Sequence, residues 1–316
     1  MYDIVIRNGL YFDGTGAAGL RRDLGIRDGR VVTVSAKPLT DTPAKQVIDA
    51  TGRWVMPGIL EIHSHYDAEI LAAPALKESV RHGVTTVALG SCSLSMIMSN
   101  PEDCSDLFTR VEAVPREGVL PLLREKKTWR TPAAYREFLE KHPIGPNVCS
   151  FMGHSDLRAA VMGLERSASK VMPTEMEMRR MEEALGEALD AGCLGLSVMT
   201  TRLDKMDGDR VWSRPLPSTF ASWTEFGRLF RILRQRGAVL QGAPDAVSKV
   251  NIFAFLWHAI GLFRKQLKMT MLTAMDLRSQ PYLHNMTRSI GWIINRLFRA
   301  DFRWQALSAP FDVYAD

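Results

Sequence analysis

The sequence is poor in cysteine. Its 316 residues contain four, at positions 92, 104, 149 and 193, with no Cys-x-x-Cys spacing. That excludes a zinc ribbon or dithiol motif and offers no disulfide framework, so a reduced, cytoplasmic setting is expected. Long apolar runs are also missing. The longest, residues 252–263, has 12 residues, against about 20 for a membrane-spanning helix. The opening residues MYDIVIRNGLYFDG carry an early Asp3 and no apolar core, so no signal peptide is expected. Acidic residues are in slight deficit, 35 against 40 Lys and Arg. The excess is local, because residues 261–304 hold eight Lys/Arg and two Asp. Such a stretch suits either an acidic substrate, lipid face or partner, or a set of solvated outer helices. Nothing else points to nucleic acid, and membrane contact is not expected.

What is present is ordinary for a globular chain: 46% hydrophobic and 24% charged residues. Residues 1–57 read as short strands broken by Asn-Gly, Asp-Gly and Thr-Gly, and a small β-sandwich-like domain is expected there. Pro57-Gly58 closes it. From residue 58 strands and helices alternate, which implies a parallel sheet with helices outside. Strands are expected to begin near 58, 84, 147, 194, 238, 269 and 311. Residues 69–83 read as one helix. Two helices open on Ser/Thr-x-x-Glu caps, at Thr174 with Glu177 and at Ser222 with Glu225. The segment 95–146 reads as an irregular excursion with one short helix near 131–142. The stretch 287–304 reads as an outer helix with an apolar stripe, or one lying on a membrane or partner. The expected fold is an α/β (β/α)₈ TIM-type barrel over 58–316, incomplete at about seven strands. The chain is therefore expected to be a fragment or a truncated form.

The chemistry concentrates in GILEIHSHYD, residues 58–67. Residues i and i+2 of a strand face the same way. His63 and His65 therefore project together at the C-terminal end of the first barrel strand, where such barrels place active sites. Two imidazoles on one face suit Zn²⁺ or a similar ion; the alternative is a hydrogen-bonded structural pair.

GRWVMPGILEIHSHYDAEI resembles the opening of the amidohydrolase superfamily, in which a small β domain leads into an HxH metal pair. HGVTTVALGSCSLSM, MGHSDLRAAVMG and EALDAGCLGLSVM resemble blocks of its N-acyl-D-amino-acid deacylases, the D-aminoacylases. The resemblance implies His63, His65 and Cys92 as metal ligands, with one zinc ion or two. It also implies a pocket role for His154, the alternative being a residue that orders its loop. Arg158 and Arg278 are candidates to hold a substrate carboxylate, the alternative being surface arginines. The implied substrate is a small N-acyl amino acid, cleaved at its amide by metal-activated water.

The sequence also departs from that pattern. Gln241 stands near an expected histidine after the fifth strand, and no histidine follows the sixth. The catalytic base is expected beyond Asp316. Asp245 and Asp276 could substitute as oxygen ligands. Asp67 could hold a ligand histidine or cap the next helix. His258 and His284 read as packing or surface residues. Two alternatives to the deacylase stay open: a catalytically silent relative that binds a ligand or partner, and another cyclic-amide hydrolase of the superfamily.

Overall fold

The computed structural model describes residues 1–245, 249–274, 276 and 281–306. The chain divides into two compact units, Met1–Ile59 and Leu60–Asp316. No helix among the described residues is long and apolar enough to cross a membrane.

The first unit is built on one five-stranded sheet rather than two stacked ones. Its strands are β1 (Tyr2–Tyr11), β2 (Leu20–Arg27), β3 (Arg30–Ser35), β4 (Ala44–Asp49) and β5 (Trp54–Val55). The order is β3-β2-β1-β4, with β5 also on β1. Asp28 and Gly29 both take positive φ, 50° and 70°, as a two-residue hairpin of the mirror-image type requires. The expected turn at Asn8-Gly9 is instead a bulge inside β1. Asn8 has φ 62° and the register on β2 shifts between Ile6 and Gly9. Asp23 fixes this irregularity by accepting the Asn8 amide at 2.9 Å.

The second unit alternates strands and helices. After β6 (Ile59–Glu61) at the junction come β7 (Val84–Leu89), β8 (Asn147–Ser150), β9 (Met152–Gly153), β10 (Gly195–Met199), β11 (Val239–Ala243), β12 (Lys268–Ala274) and β13 (Asp301–Ala306). They form two sheets, β6-β7-β8 and β13-β12-β11-β10-β9. The pairings from β7 to β8 and from β9 through β13 are parallel. Phe151 separates β8 from β9 and donates its amide to Leu89 at 2.9 Å, so one kinked strand serves both sheets. All five residues of β10 are buried, as expected of a parallel strand covered on both faces.

The helices are α1 (Glu69–Ala72), α2 (Lys77–Arg81), α3 (Pro101–Phe108), α4 (Arg116–Lys126), α5 (Pro132–Lys141), α6 (His154–Met162), α7 (Leu164–Ser167), α8 (Glu175–Asp190), α9 (Trp223–Arg236), α10 (Lys249–Ala259) and α11 (Leu283–Leu297). The stripe of α8 (Met178, Met181, Leu185) and that of α9 (Phe226, Leu229, Phe230, Leu233) are buried. Thr174 and Glu177 form a reciprocal capping box on α8.

Several elements differ from their sequence reading. The single helix expected over 69–83 is two short ones, separated by a segment that contains Pro74, which cannot donate a helical hydrogen bond. The excursion before residue 146 contains α3 and α4 besides α5. The stripe read through 304 stops at Leu297, because Arg299 takes φ 51° and β13 begins at Asp301. A strand near 311 lies outside the described residues; β13 holds the place beside β12.

Candidate metal centre

His63 and His65 lie just past β6, in a loop pinned to its neighbour. Ser64, between them, points the other way and donates to the carbonyl of Ala88 on β7 at 2.7 Å. Cys92 follows β7 on a loop held from two strands and from the turn after β6. Cys92 N–H donates to Gln241 Oε1 of β11 at 3.0 Å, and Ser93 N–H to Ser197 Oγ of β10 at 3.0 Å. Gly90 N–H donates to the Asp67 carboxylate at 3.2–3.3 Å. The anchoring is needed, because Cys92 and Ser93 have φ of 53° and 67°. Left-handed backbone at non-glycine residues costs on the order of 1–3 kcal/mol each.

The loops bring His63, His65 and Cys92 together, with one ligand atom from each lying within 4.8 Å of the others. His63 Nε2 is 3.3 Å from His65 Nε2 and 3.2 Å from Cys92 Sγ. His63 Nδ1 lies 2.8 Å from Gln305 Oε1. An amide oxygen only accepts, so the proton is assigned to Nδ1 and Nε2 carries a lone pair. His65 Nδ1 is 3.2 Å from Glu112 Oε1, but the alignment misses a hydrogen bond and the buried Nδ1 has no hydrogen-bond partner.

Burial dominates the electrostatics. It pulls His63 below the usual histidine range despite the Gln305 hydrogen bond. It takes His65 down to about 3, helped by His63. It pushes the Cys92 thiol well up, with Glu112 and Asp204 adding to the effect. Glu112 itself is raised to about 8 by burial, then by Asp67 and Asp204. The protein alone thus gives neutral imidazoles and a neutral thiol, with acidic groups behind them.

This donor set fits a divalent ion. Tetrahedral bonds of about 2.0–2.1 Å to nitrogen and 2.3 Å to sulfur place ligand atoms about 3.3–3.6 Å apart. The His63–His65 separation of 3.3 Å matches that spacing, and the His63–Cys92 separation of 3.2 Å is shorter than it. Three protein donors with a fourth side open is the pattern of a hydrolytic site. His65 and Glu112 keep side-chain exposures of 19% and 20%, so the cluster reaches solvent.

The other predicted residues lie elsewhere or do something else. Gln241 is adjacent, but its oxygen is committed to Cys92 N–H and its amide donates to Ser91 Oγ at 3.2 Å. Asp67 holds no histidine and caps no helix; it accepts from Gly90, and burial raises its carboxyl to about 7. His154 and Arg158 are fully buried on α6 and line no opening. His154 Nε2 and Arg158 Nε each lie 3.0 Å from Glu225 Oε1. Arg158 also donates to the carbonyls of Ser167, Pro217 and Val171. Asp276 is exposed and bound by His284, through its amide and Nδ1, and is not among the clustered donors. Asp245 is half-buried just past β11, donates its amide to Thr200 Oγ1 at 3.0 Å, and is not among the clustered donors. Arg278 lies outside the described residues.

Three residues were not anticipated. Gln305 sits on a strand that read as helix. Glu112 is an inconspicuous acid after α3. Glu225 read only as a helix-capping acid. Ser222 Oγ does accept the Glu225 amide at 3.1 Å, but the Glu225 side chain turns inward to His154 and Arg158. A single sequence carries no signal for these partners, because each is set by tertiary approach across 47 to 242 residues or by an inward turn.

No protein-family model matches the chain. An uncharacterised protein of Mycobacterium tuberculosis is 51% identical over 318 aligned positions, covering 100% of this chain and 52% of that protein. The D-aminoacylase of Alcaligenes xylosoxydans xylosoxydans is 32% identical over 199 positions, 62% of this chain and 37% of that enzyme. The chain therefore spans about half, or less, of the length of the curated relatives it matches. Among solved structures, N-acyl-D-glutamate deacylase from Bordetella bronchiseptica, complexed with zinc and a phosphonate mimic of the tetrahedral intermediate, superposes with a TM-score of 0.75 at 24% identity. The match covers 98% of this chain and 59% of that one. A D-aminoacylase with a binuclear metal centre gives 0.73 at 24%, over 97% and 58%. The homologues and structural neighbours of this chain are thus D-aminoacylase and N-acyl-D-glutamate deacylase amidohydrolases, of moderate sequence identity and high structural similarity.

Proposed function

We propose that the chain carries the metal-binding part of a hydrolase that cleaves the amide bond of small N-acyl amino acids, of D configuration. The observation that carries this reading is the convergence of His63, His65 and Cys92 after the neighbouring strands β6 and β7, with one ligand atom from each within 4.8 Å of the others. The activities of the relatives, deacylases of N-acyl-D-glutamate and N-acyl-D-aspartate, supply the substrate class. We assign β6 through β13 to most of a (β/α)₈ barrel in a domain spanning 58–316, behind a small β domain of 1–57. The hydrogen bond from His63, after β6, to Gln305, on β13, supports that curvature.

In this reading His63 Nε2, His65 Nε2 and the Cys92 thiolate hold one zinc ion. When bound, the ion supplies an activated water and polarises the acyl carbonyl. The residues themselves orient and insulate. Gln305 fixes the His63 tautomer, as the outer hydrogen-bond partner of a ligand histidine does. Gln241 fixes the Cys92 backbone. Glu112 stands behind His65, where a small rotation would make it the acceptor for Nδ1–H. The solvent-facing side of His65 leaves the approach for substrate.

A second reading is a silent, metal-holding relative, and Gln241 favours it. Its amide oxygen serves the Cys92 loop where the deacylase resemblance expects a histidine. Elemental analysis with an assay on N-acyl-D-amino acids separates the two. About one zinc per chain, lost in His63→Ala/His65→Ala, with amide hydrolysis, supports the hydrolase. Zinc without hydrolysis supports the silent relative. Absence of zinc after reconstitution overturns both.

A further inference from the structure

The outer face of α9 carries charge that the proposed reaction does not use. Arg228, Arg231 and Arg234 of α9, with His258 near the end of α10 and Arg264 in the loop that leads to β12, line a cavity of about 450 Å³. Only Arg228 is balanced, by Glu175 and Glu182 at 2.7 Å each. Arg234 donates to the His258 carbonyl, and Arg264 to the carbonyls of Ile260 and Trp257. Neither they nor Arg231 has a carboxylate partner among the described residues. Arg234 is only 9% exposed. Its Nε and the neighbouring His258 Nδ1 are buried without a hydrogen-bond partner.

Three guanidinium groups facing one cavity without counter-charge repel one another. Burial, then Arg264, pulls Arg234 down to about 10. Burial, then Arg234 and Arg264, pulls His258 down to about 4. Buried donors of this kind are normally paired, and guanidinium forks match phosphate oxygens in pairs. The cavity lies in the usual size range for small-molecule sites, roughly 300–1,000 Å³, which exceeds what a bare ion fills. Trp223 stacks on His258, ring centroids 5.9 Å apart, and holds that lining imidazole in place.

We propose that this cavity binds the phosphate group of a small phosphorylated molecule, at a site separate from the metal cluster. Arg231 and Arg264 grip the oxygens from the rim, and Arg234 Nε donates from the floor.

The test is calorimetric titration with inorganic phosphate and with pyrophosphate in low chloride. It uses the His63→Ala/His65→Ala protein, so that no anion can bind at the metal centre. The expected result is saturable binding, tighter for pyrophosphate. Adding Arg231→Gln/Arg264→Gln should weaken it at least tenfold, with melting temperature unchanged in the absence of anion. The same arginine pair made in the otherwise unaltered protein should leave zinc content intact, which keeps this outcome independent of the metal reading. No saturable binding of either anion, or equal binding in the arginine variant, overturns the proposal. Binding to phosphatidylserine vesicles but to neither small anion also overturns it.

Discussion

Among the described residues, the histidine clusters around His154 and around His63 have opposite character. Around His154 the polar groups are complementary. Both ring nitrogens have partners, Ser218 Oγ at 3.1 Å and Glu225 Oε1 at 3.0 Å, and Arg158 neutralises the carboxylate. Around His63 the groups are alike. Two imidazole nitrogens and a sulfur face one another, with no cation among them and acidic groups behind. The first arrangement needs no cation: Glu225 Oε2 is buried without a hydrogen-bond partner, but the charges of Glu225 and Arg158 balance. The second gathers lone pairs that a cation alone would satisfy together. Histidines that look equally functional in a sequence are thus separated by what surrounds them, and the useful signal is an imbalance of donors and acceptors.

Removing Glu225 should have the largest effect. Glu225→Ala leaves Arg158 as an unpaired buried charge and His154 without its acceptor, at a cost of about 3–5 kcal/mol. Urea unfolding should show that loss, and an unchanged midpoint would mean the cluster is not the complementary one described. Burial tends to raise the Glu225 carboxyl, but the His154 hydrogen bond and the Arg158 charge outweigh it and hold the value below the usual range. A carboxyl lowered in the folded state stabilises above its ordinary value. That contribution should therefore fade as the pH falls below about 4 and on through the folded value. Glu225→Gln should flatten the acid limb of the stability profile.

The metal cluster should respond the opposite way, to removal of a ligand rather than of a side chain. Chelation should destabilise the loaded protein by about 2.7 kcal/mol where free ion had stood at 100 times Kd. His63→Ala/His65→Ala should show no chelator effect. A melting temperature that ignores the chelator in the unaltered protein would contradict the imbalance.

Gln305→Ala is subtler. It frees His63 Nδ1, and loss of such an outer partner costs about 10–100-fold in metal affinity. Competition with a chromophoric chelator should register this, with little change in the unfolding midpoint of the metal-free protein. Ser222→Ala should have the smallest effect. It removes the cap of the helix that carries Glu225, at about 1 kcal/mol, and should leave metal content untouched. A fall in metal content would mean the two clusters are coupled.

Much of this was legible in the sequence, for local reasons. The apolar stripes and caps of α8 and α9, the strands near 84, 147, 194, 238 and 269 and the His63/His65 pair all follow from short-range periodicity and spacing. Cys92 was reached through the resemblance to the deacylases. What stayed hidden was tertiary. His154 and Arg158 matched a block with an implied pocket role, yet their partners on α9 bury them, and nothing local announces that Glu225 turns inward. Gln305 lies on β13, most of which fell within the stretch 287–304 that read as helix. Asp67 sat close enough to the histidines to suggest a role beside them, but its partner is the amide of Gly90, on the neighbouring strand's exit.

The most direct test of the central claim is a cobalt titration followed by optical absorption, on the unaltered protein and on Cys92→Ser. If His63, His65 and Cys92 hold one ion, the unaltered protein will develop a thiolate-to-cobalt charge-transfer band saturating near one equivalent, and Cys92→Ser will lose that band. Bound cobalt without the band, or no bound cobalt, would contradict the account.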